Sequence, residues 1–288
     1  MATIPIDRKR VIERCDALSS FPRAVSEILA SIDAPDGNLK TLVDCILHDP
    51  IIAARVLSVA NRAAARARRD ADVTDIYTAT SLIGMTRVRE ITLISSLQRF
   101  VGTMISNEFG VRLWQHSVSV GVCCEEIVLH VDAPISIDAG LIAGLLHDVG
   151  QFWFQAIEPV TFQACRLEAS ACNVGIEQIE RSHFGVDHAT VGCWLAEHWE
   201  LPADICAAIG GHHAPDSVSD SFLVPLVHMA EVLSSALELP GGSDANHVSY
   251  VSSAACKKLG LVWNENSQSM FGRIEARAQH ANAFFSTH

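Results

Sequence analysis

The sequence predicts an all-α fold, and three observations predict it. Apolar residues recur at helical spacing almost throughout the 288 residues. No stretch of useful length alternates apolar and polar side chains as a half-buried strand would. The breaks between periodic stretches fall at proline, glycine and short polar residues, which start and stop helices. A hydrophobic share of 49% is ample for a substantial buried core.

Taken in order, Phe21-Pro22 opens the first helix, with Val25, Ile28, Leu29 and Ile32 on one face. Proline suits that position because its missing N–H would be unpaired there anyway. A turn over Ala34-Pro35-Asp36-Gly37-Asn38 ends this helix. Leu39, Leu42, Val43, Ile46 and Leu47 form the next stripe, broken at Asp49-Pro50, and Ile51 to Ala65 begin a third helix. A polar, arginine-rich stretch from Arg62 to Asp75 precedes Ile76 to Phe100, which is helical with an interruption near Gly84. A longer helix runs from Phe109 to about His130; Ser136 then caps Ile137 to His147, and Gly150 is placed to end that helix. Residues 160–181 read as helix, Asp187 caps 188–199, Pro202 opens 203–211, and Ser221 to Leu239 form another. The linker Pro240-Gly241-Gly242-Ser243 leads to two weaker helical segments. The expected division is a lead-in at 1–18, an N-terminal helical lobe at 19–105, a helical core at 106–239 and a helical C-terminal extension at 240–288.

The net charge of −12 is unevenly spread. Residues 1–115 carry 15 Lys+Arg and 13 Asp+Glu; the rest carry 6 and 20. So acidic a second part argues against nucleic-acid binding there, since phosphates need cationic partners, while it tolerates bound cations. The nine cysteines are odd in number, scattered and without a C-x-x-C pair, as expected of reduced thiols in a cytoplasmic protein. Neither a secretory h-region nor a bilayer-length apolar run is found, so no membrane association is expected. Arg62, Arg66 and Arg69 head the only basic concentration and are candidates for a phosphate or nucleotide ligand. Asp70, Asp72 and Asp75 follow at once and no aromatics interleave, which favours a solvated surface.

Six polar residues sit at helix ends or on otherwise apolar helices: His116, His147, Asp148, His188, His212 and His213. Asp148 follows the apolar run Leu141 to Leu146, and an ionised carboxylate there costs several kcal/mol unless paired or metal-bound. Imidazoles with a carboxylate suit iron, manganese or zinc, and helical metal sites commonly draw their ligands from separate helices. Pairing of Asp148 with the histidines alone would satisfy the same burial cost. His212 and His213 also suit a helix carboxyl end.

The succession Leu113-Trp114-Gln115-His116-Ser117, Ala143 to Gly150 around His147-Asp148, Gly185 to Gly192 around His188, Trp199 to Pro202, Gly211-His212-His213 and Leu226 to Glu231 resembles the HDOD domain family, relatives of HD-domain and HD-GYP proteins. Phe21-Pro22, His48-Asp49-Pro50, Arg55 to Asn61 and Ser81 to Gly84 resemble its amino-terminal half, giving coverage of about residues 19–239. The resemblance implies an HD-like core at 106–239 and one or two divalent ions, iron or manganese ahead of zinc. Its ligand positions fall on His116, His147, Asp148, His188, His212, His213 and Glu231. The first four are expected to share a cavity, with His212, His213 and Glu231 at its rim.

Three departures bear on catalysis. Gln151 stands where the hydrolytic H-D-x-G-K motif has lysine, removing a cation that would steady phosphate charge. Ala214-Pro215-Asp216-Ser217 replaces the HD-GYP signature, and Glu231 replaces the usual final aspartate. The expectation is a stand-alone regulatory module acting through contacts with signalling proteins. The competing expectation is a metal-dependent phosphohydrolase acting on a nucleotide or phosphate ester, with Asp148 and Gln151 in its catalytic site.

Overall fold

Asp49, Asp75, Asn107, Ser136, Asp187 and Ser252 each stand just before a helix, and each side chain accepts a backbone N–H from its first turn. These short polar side chains satisfy donors that no helix can satisfy internally, and so set where the helices begin. The computed structural model describes residues 5–15, 21–30, 39–67, 73–104, 107–217, 220–242 and 250–285. Among them the chain is helical and contains no strand.

In order, the helices are α1 (Arg8–Cys15), α2 (Arg23–Ala30), α3 (Leu39–Leu47), α4 (Pro50–Arg66), α5 (Ile76–Ile83), α6 (Met85–Met104), α7 (Glu108–Val128) and α8 (Ile137–Leu146). There follow α9 (Val149–Ile157), α10 (Pro159–Cys172), α11 (Ile176–Phe184), α12 (His188–His198), α13 (Ala203–Gly211), α14 (Leu223–Ala236), α15 (Ser253–Leu259) and α16 (Glu265–Phe285).

The chain forms two compact units: Phe21–Phe100, and Met1–Ser20 together with Val101–His288. In the first, Val25, Val43, Ile46, Val56, Ala60, Val88 and Leu97 fill the core between α2 and α6. The Asn61 side chain donates to the Val73 carbonyl and accepts from its N–H, both at 2.8 Å, fixing the approach to α5. In the second, α7 is buried along nearly its whole length, from Leu113 to Ile127, because α8, α14 and α16 pack around it. Beside these, α12 packs on α9 and α13. The lead-in also contributes: α1 lies on α12, and the Ile6 N–H donates to the Phe184 carbonyl at 2.9 Å.

Several expectations need correction. Residues 160–181 are two helices, because Asn173 adopts a left-handed conformation (φ 53°) and closes α10. Gly150 does not end α8; it lies in the first turn of α9, an element the sequence reading missed by taking that glycine as a stop. A Cβ at Gly150 would collide with the His188 carbonyl, so the glycine serves a close approach of α9 to the start of α12. The turn at residues 34–38 lies outside the described residues. None of the nine cysteines forms a disulfide. No helix among the described residues is long and apolar enough to cross a membrane.

Candidate metal centre

Six helices of the second unit bring the candidate residues together. His116 projects from the middle of α7, and His147 caps the carboxyl end of α8. Asp148 occupies the turn into α9, His188 opens α12, His212 caps α13 with His213 next, and Glu231 lies on α14. Asp148 is the hub. Its Oδ2 lies 3.3 Å from His147 Nε2 and 3.8 Å from His116 Nε2; its Oδ1 lies 3.2 Å from His188 Nε2 and 4.0 Å from His212 Nε2. Two groups flank it, each offering three ligand atoms within 4.8 Å of one another: His188, His212 and His213 on one side, and His116, His147 and Glu231 on the other. The expected rim position holds only for His213, which is partly exposed; His212 and Glu231 are as buried as the rest, at 0% and 3%.

The orientation of the rings is set from behind. His147 Nδ1 bonds the Gly144 carbonyl at 2.8 Å, and His212 Nδ1 bonds that of Ile209 at 2.7 Å, so each imidazole donates to the last turn of its own helix. Capping and facing the cluster are therefore one geometry. His188 Nδ1 bonds Glu180 Oε2 at 2.6 Å, and the same oxygen accepts the His188 backbone N–H at 2.8 Å. With Nδ1 tied in all three rings, Nε2 is the nitrogen turned toward Asp148 and the one a metal would take; in the metal-free cluster His188 Nε2 also lies 2.8 Å from His213 Nε2. Glu180 was not among the candidates, although Ile176, Glu180 and Phe184 at four-residue intervals put a carboxylate on a buried face.

Asp148 also holds the N-cap position of α9, yet its side chain makes no cap hydrogen bond. Both of its oxygens, Nε2 of His147, both nitrogens of His116, Nε2 of His212 and Oε2 of Glu231 are buried without a partner of hydrogen-bond geometry. Unsatisfied polar atoms in the interior are costly, and a set of them aimed at common points is what a divalent ion would satisfy. The residues fit such an ion.

Residues 18–215 match the family model of the HDOD domain. This chain belongs to the HDOD family. An uncharacterized protein of Treponema pallidum (strain Nichols) is 23% identical over 204 residues, which span 70% of this HDOD chain but only 39% of that relative's length. Among solved structures, an HDOD domain protein of unknown function from Geobacter sulfurreducens is 21% identical with a TM-score of 0.76, covering 97% of both chains. A proposed phosphohydrolase from Shewanella amazonensis SB2B is 20% identical with a TM-score of 0.71, covering 96% of this chain and 97% of its own. Both likenesses are likenesses of fold. The matched HDOD region ends before α14, so Glu231 and the C-terminal helices lie beyond it.

Burial, then the neighbouring His147, holds the His116 imidazole down to about 4. Burial likewise holds His212 and His213 well below the usual histidine range. For His188 and His147 burial acts in the same sense but is outweighed, by Glu180 and Asp148 for the first and by Asp148 for the second, so both are raised. Glu231 is pushed up to about 7 by burial. The carboxyl ends of α8 and α13 both meet the cluster, a favourable field for a cation. Gln151 is buried (2% exposed) in α9, a position that offers no charge to a phosphate. Arg62 and Arg66 are exposed on α4 in the other unit, where Arg62 Nη2 donates to Ser58 Oγ at 3.1 Å; Arg69 lies outside the described residues. His228, one turn before Glu231, bonds the His212 carbonyl (Nδ1, 3.0 Å) and the Ser252 N–H (Nε2, 3.3 Å), so neither nitrogen is available as a ligand.

Proposed function

We propose that this protein is a regulatory HDOD module of the cytoplasm that acts through contacts with signalling proteins and holds divalent metal at the Asp148 cluster without turning over a phosphate ester. The observation that carries the metal reading is the common orientation of His147, His188 and His212, each tied at Nδ1 with Nε2 turned toward one carboxylate. His188, His212 and His213 would hold one ion and His116, His147 and Glu231 a second, with Asp148 between them. Imidazoles with carboxylates and no thiolate suit iron, manganese or zinc, and the HDOD resemblance puts iron or manganese ahead. Such ions would supply Lewis acidity and an activated water to a substrate able to reach them.

Reach and charge argue against turnover. His116, His147, Asp148, His188, His212 and Glu231 are all at most 3% exposed, so a phosphate ester meets only His213 from outside. Gln151 supplies no cation at the position where hydrolytic relatives carry lysine. The second reading, a metal-dependent phosphohydrolase, is favoured by the two ligand groups around one aspartate, an arrangement suited to in-line displacement at phosphorus.

The test is metal content together with phosphodiesterase turnover of bis-p-nitrophenyl phosphate for the native chain, His147→Ala and Gln151→Lys. Bound iron or manganese with no turnover in the native chain is expected, with less metal in His147→Ala. Robust native turnover abolished by His147→Ala would establish the phosphohydrolase instead.

A further inference from the structure

The segment after α14 reaches the histidine cluster at two separate places. The first is on α7. Gly241, with φ +87°, lies directly against the backbone of Arg112 to His116, so close that a Cβ there would overlap the His116 N–H. One turn on, buried Ser119 meets the segment at both ends: its hydroxyl lies 2.9 Å from the Pro240 carbonyl, which shares its proton with the Gln115 carbonyl of α7 at the same distance, and it accepts from Asn282 Nδ2 of α16 at 3.1 Å. The same two helices are clamped again farther along. Arg277 donates to Glu125 Oε2 at 2.5 Å and to Glu126 Oε1 at 2.8 Å, and Arg273 Nε donates to Glu126 Oε2 at 3.1 Å.

The second place is His228 on α14, which in turn bonds the residue that caps α13. The Ser252 N–H donates to His228 Nε2, which leaves Nδ1 as the protonated nitrogen that donates to the His212 carbonyl. Ser252 is itself held, its hydroxyl donating to Asp216 Oδ1 at 2.5 Å and accepting the Ala255 N–H at 2.9 Å. The Tyr250 ring lies against His228, 5.3 Å between centroids. A line of hydrogen bonds thus runs from the start of α15 through His228 to the residue whose other ring nitrogen faces Asp148.

We infer that the C-terminal segment, which lies outside the matched family region, is a working part of the cluster: Gly241 and Ser119 position His116, while Ser252 and His228 position His212. These are positioning residues, each acting on one of the two ligand groups. The inference takes the importance of the cluster from the metal reading, yet the two grips are geometry that holds with or without an ion.

The test uses the full-length chain stripped with EDTA, labelled briefly with diethyl pyrocarbonate and mapped by peptide mass spectrometry, alongside thermal melts. In the native chain His116 and His212 are shielded. Gly241→Ala is expected to raise labelling of His116 by about tenfold through local opening, with His212 still shielded. Ser119→Ala loosens the same grip without a steric clash and should act in the same direction. Ser252→Pro deletes the N–H at a φ of −73° that proline adopts, and should expose His212 while leaving His116 shielded; Ser252→Ala keeps that N–H and should leave His212 shielded. Gly260→Ala, also at positive φ but with nothing within 4 Å, controls for backbone strain. Unchanged shielding in Gly241→Ala and Ser252→Pro would overturn the inference, and so would equal exposure of both histidines in step with a lowered Tm. Metal content measured before stripping reports on the metal reading separately: a native chain without metal ends that reading and leaves the labelling result standing.

Discussion

At the scale of single residues, the cluster depends on side chains that never face its centre. Glu180 is fully buried, and one of its oxygens takes both the ring and the backbone donor of His188, so its charge raises the basicity of the Nε2 lone pair on the other side. Glu180→Gln keeps an acceptor but loses the charge. It is expected to weaken manganese binding about 10–100-fold, the range seen when such supporting partners are removed. Titration calorimetry with Mn²⁺ measures this, and an unchanged Kd beside a His188→Ala variant that no longer binds the ion would refute the role given to Glu180. Six members of the cluster were legible in the sequence as polar residues at helix ends or on apolar helices, while Glu231 was reached only through the resemblance to HDOD domains. Glu180 was less legible: its buried position shows as a four-residue spacing, but its partner lies eight residues away on another helix.

At the scale of elements, helix starts and ends decide where the ligands stand. His188 is the first residue of α12, and its position rests on Asp187, which accepts the Thr190 N–H at 2.8 Å and hydroxyl at 2.6 Å while pairing with Arg181. His147 stands at the far end of α8 from Ser136, whose cap bond is 3.5 Å long. Loss of a cap costs about 0.5–2 kcal/mol, so Asp187→Ala should fall at the upper end and Ser136→Ala at the lower. In a unit of this size about 1 kcal/mol corresponds to about 2–4 °C in Tm, a difference that calorimetry resolves. Equal shifts for the two variants would mean that the extra bonds of Asp187 contribute nothing. The sequence reading placed Ser136 and Asp187 as caps but read Gly150 as a helix stop. Gly150 instead answers to the His188 carbonyl of another helix, and no local pattern carries that information.

At the scale of the whole molecule, the cluster couples stability to pH in both directions. The imidazoles of His116, His212 and His213 resist protonation when folded but accept it when unfolded, so stability falls as pH drops below about 6.5. His147 and His188 have raised values; their contribution is fully present below about 6.5 and is lost as pH rises through the folded values. The contribution of Asp148, whose value is depressed, is lost only in stronger acid, while Glu231, held up at about 7 by burial, and Glu180, also raised, cost stability as pH rises above about 4.5 and offset part of the gain from the three histidines. Metal-free protein is therefore expected to have its highest Tm near pH 6–7, declining on both sides. Bound metal replaces the protons on His147 and His188 and should flatten the alkaline side. Thermal melts from pH 5 to 9, with EDTA and with Mn²⁺, measure this; a Tm that changes in one direction only across the range in EDTA would refute it.

The sequence by itself determined the helical class, most helix boundaries, the absence of disulfides and six of the polar residues in the Asp148 cluster. Those are local matters of apolar spacing, capping chemistry and the cost of burying a carboxylate. Only the tertiary structure decided that Asp148 turns away from its own helix cap, that Glu180 stands behind His188, that His212 and Glu231 are buried and not at the rim, and that the C-terminal segment lies on α7 and is tied to His212 through His228. Each of these depends on two helices distant in sequence approaching to within a few ångströms. That approach is set by the close packing of the whole unit, and no periodicity within one helix specifies it.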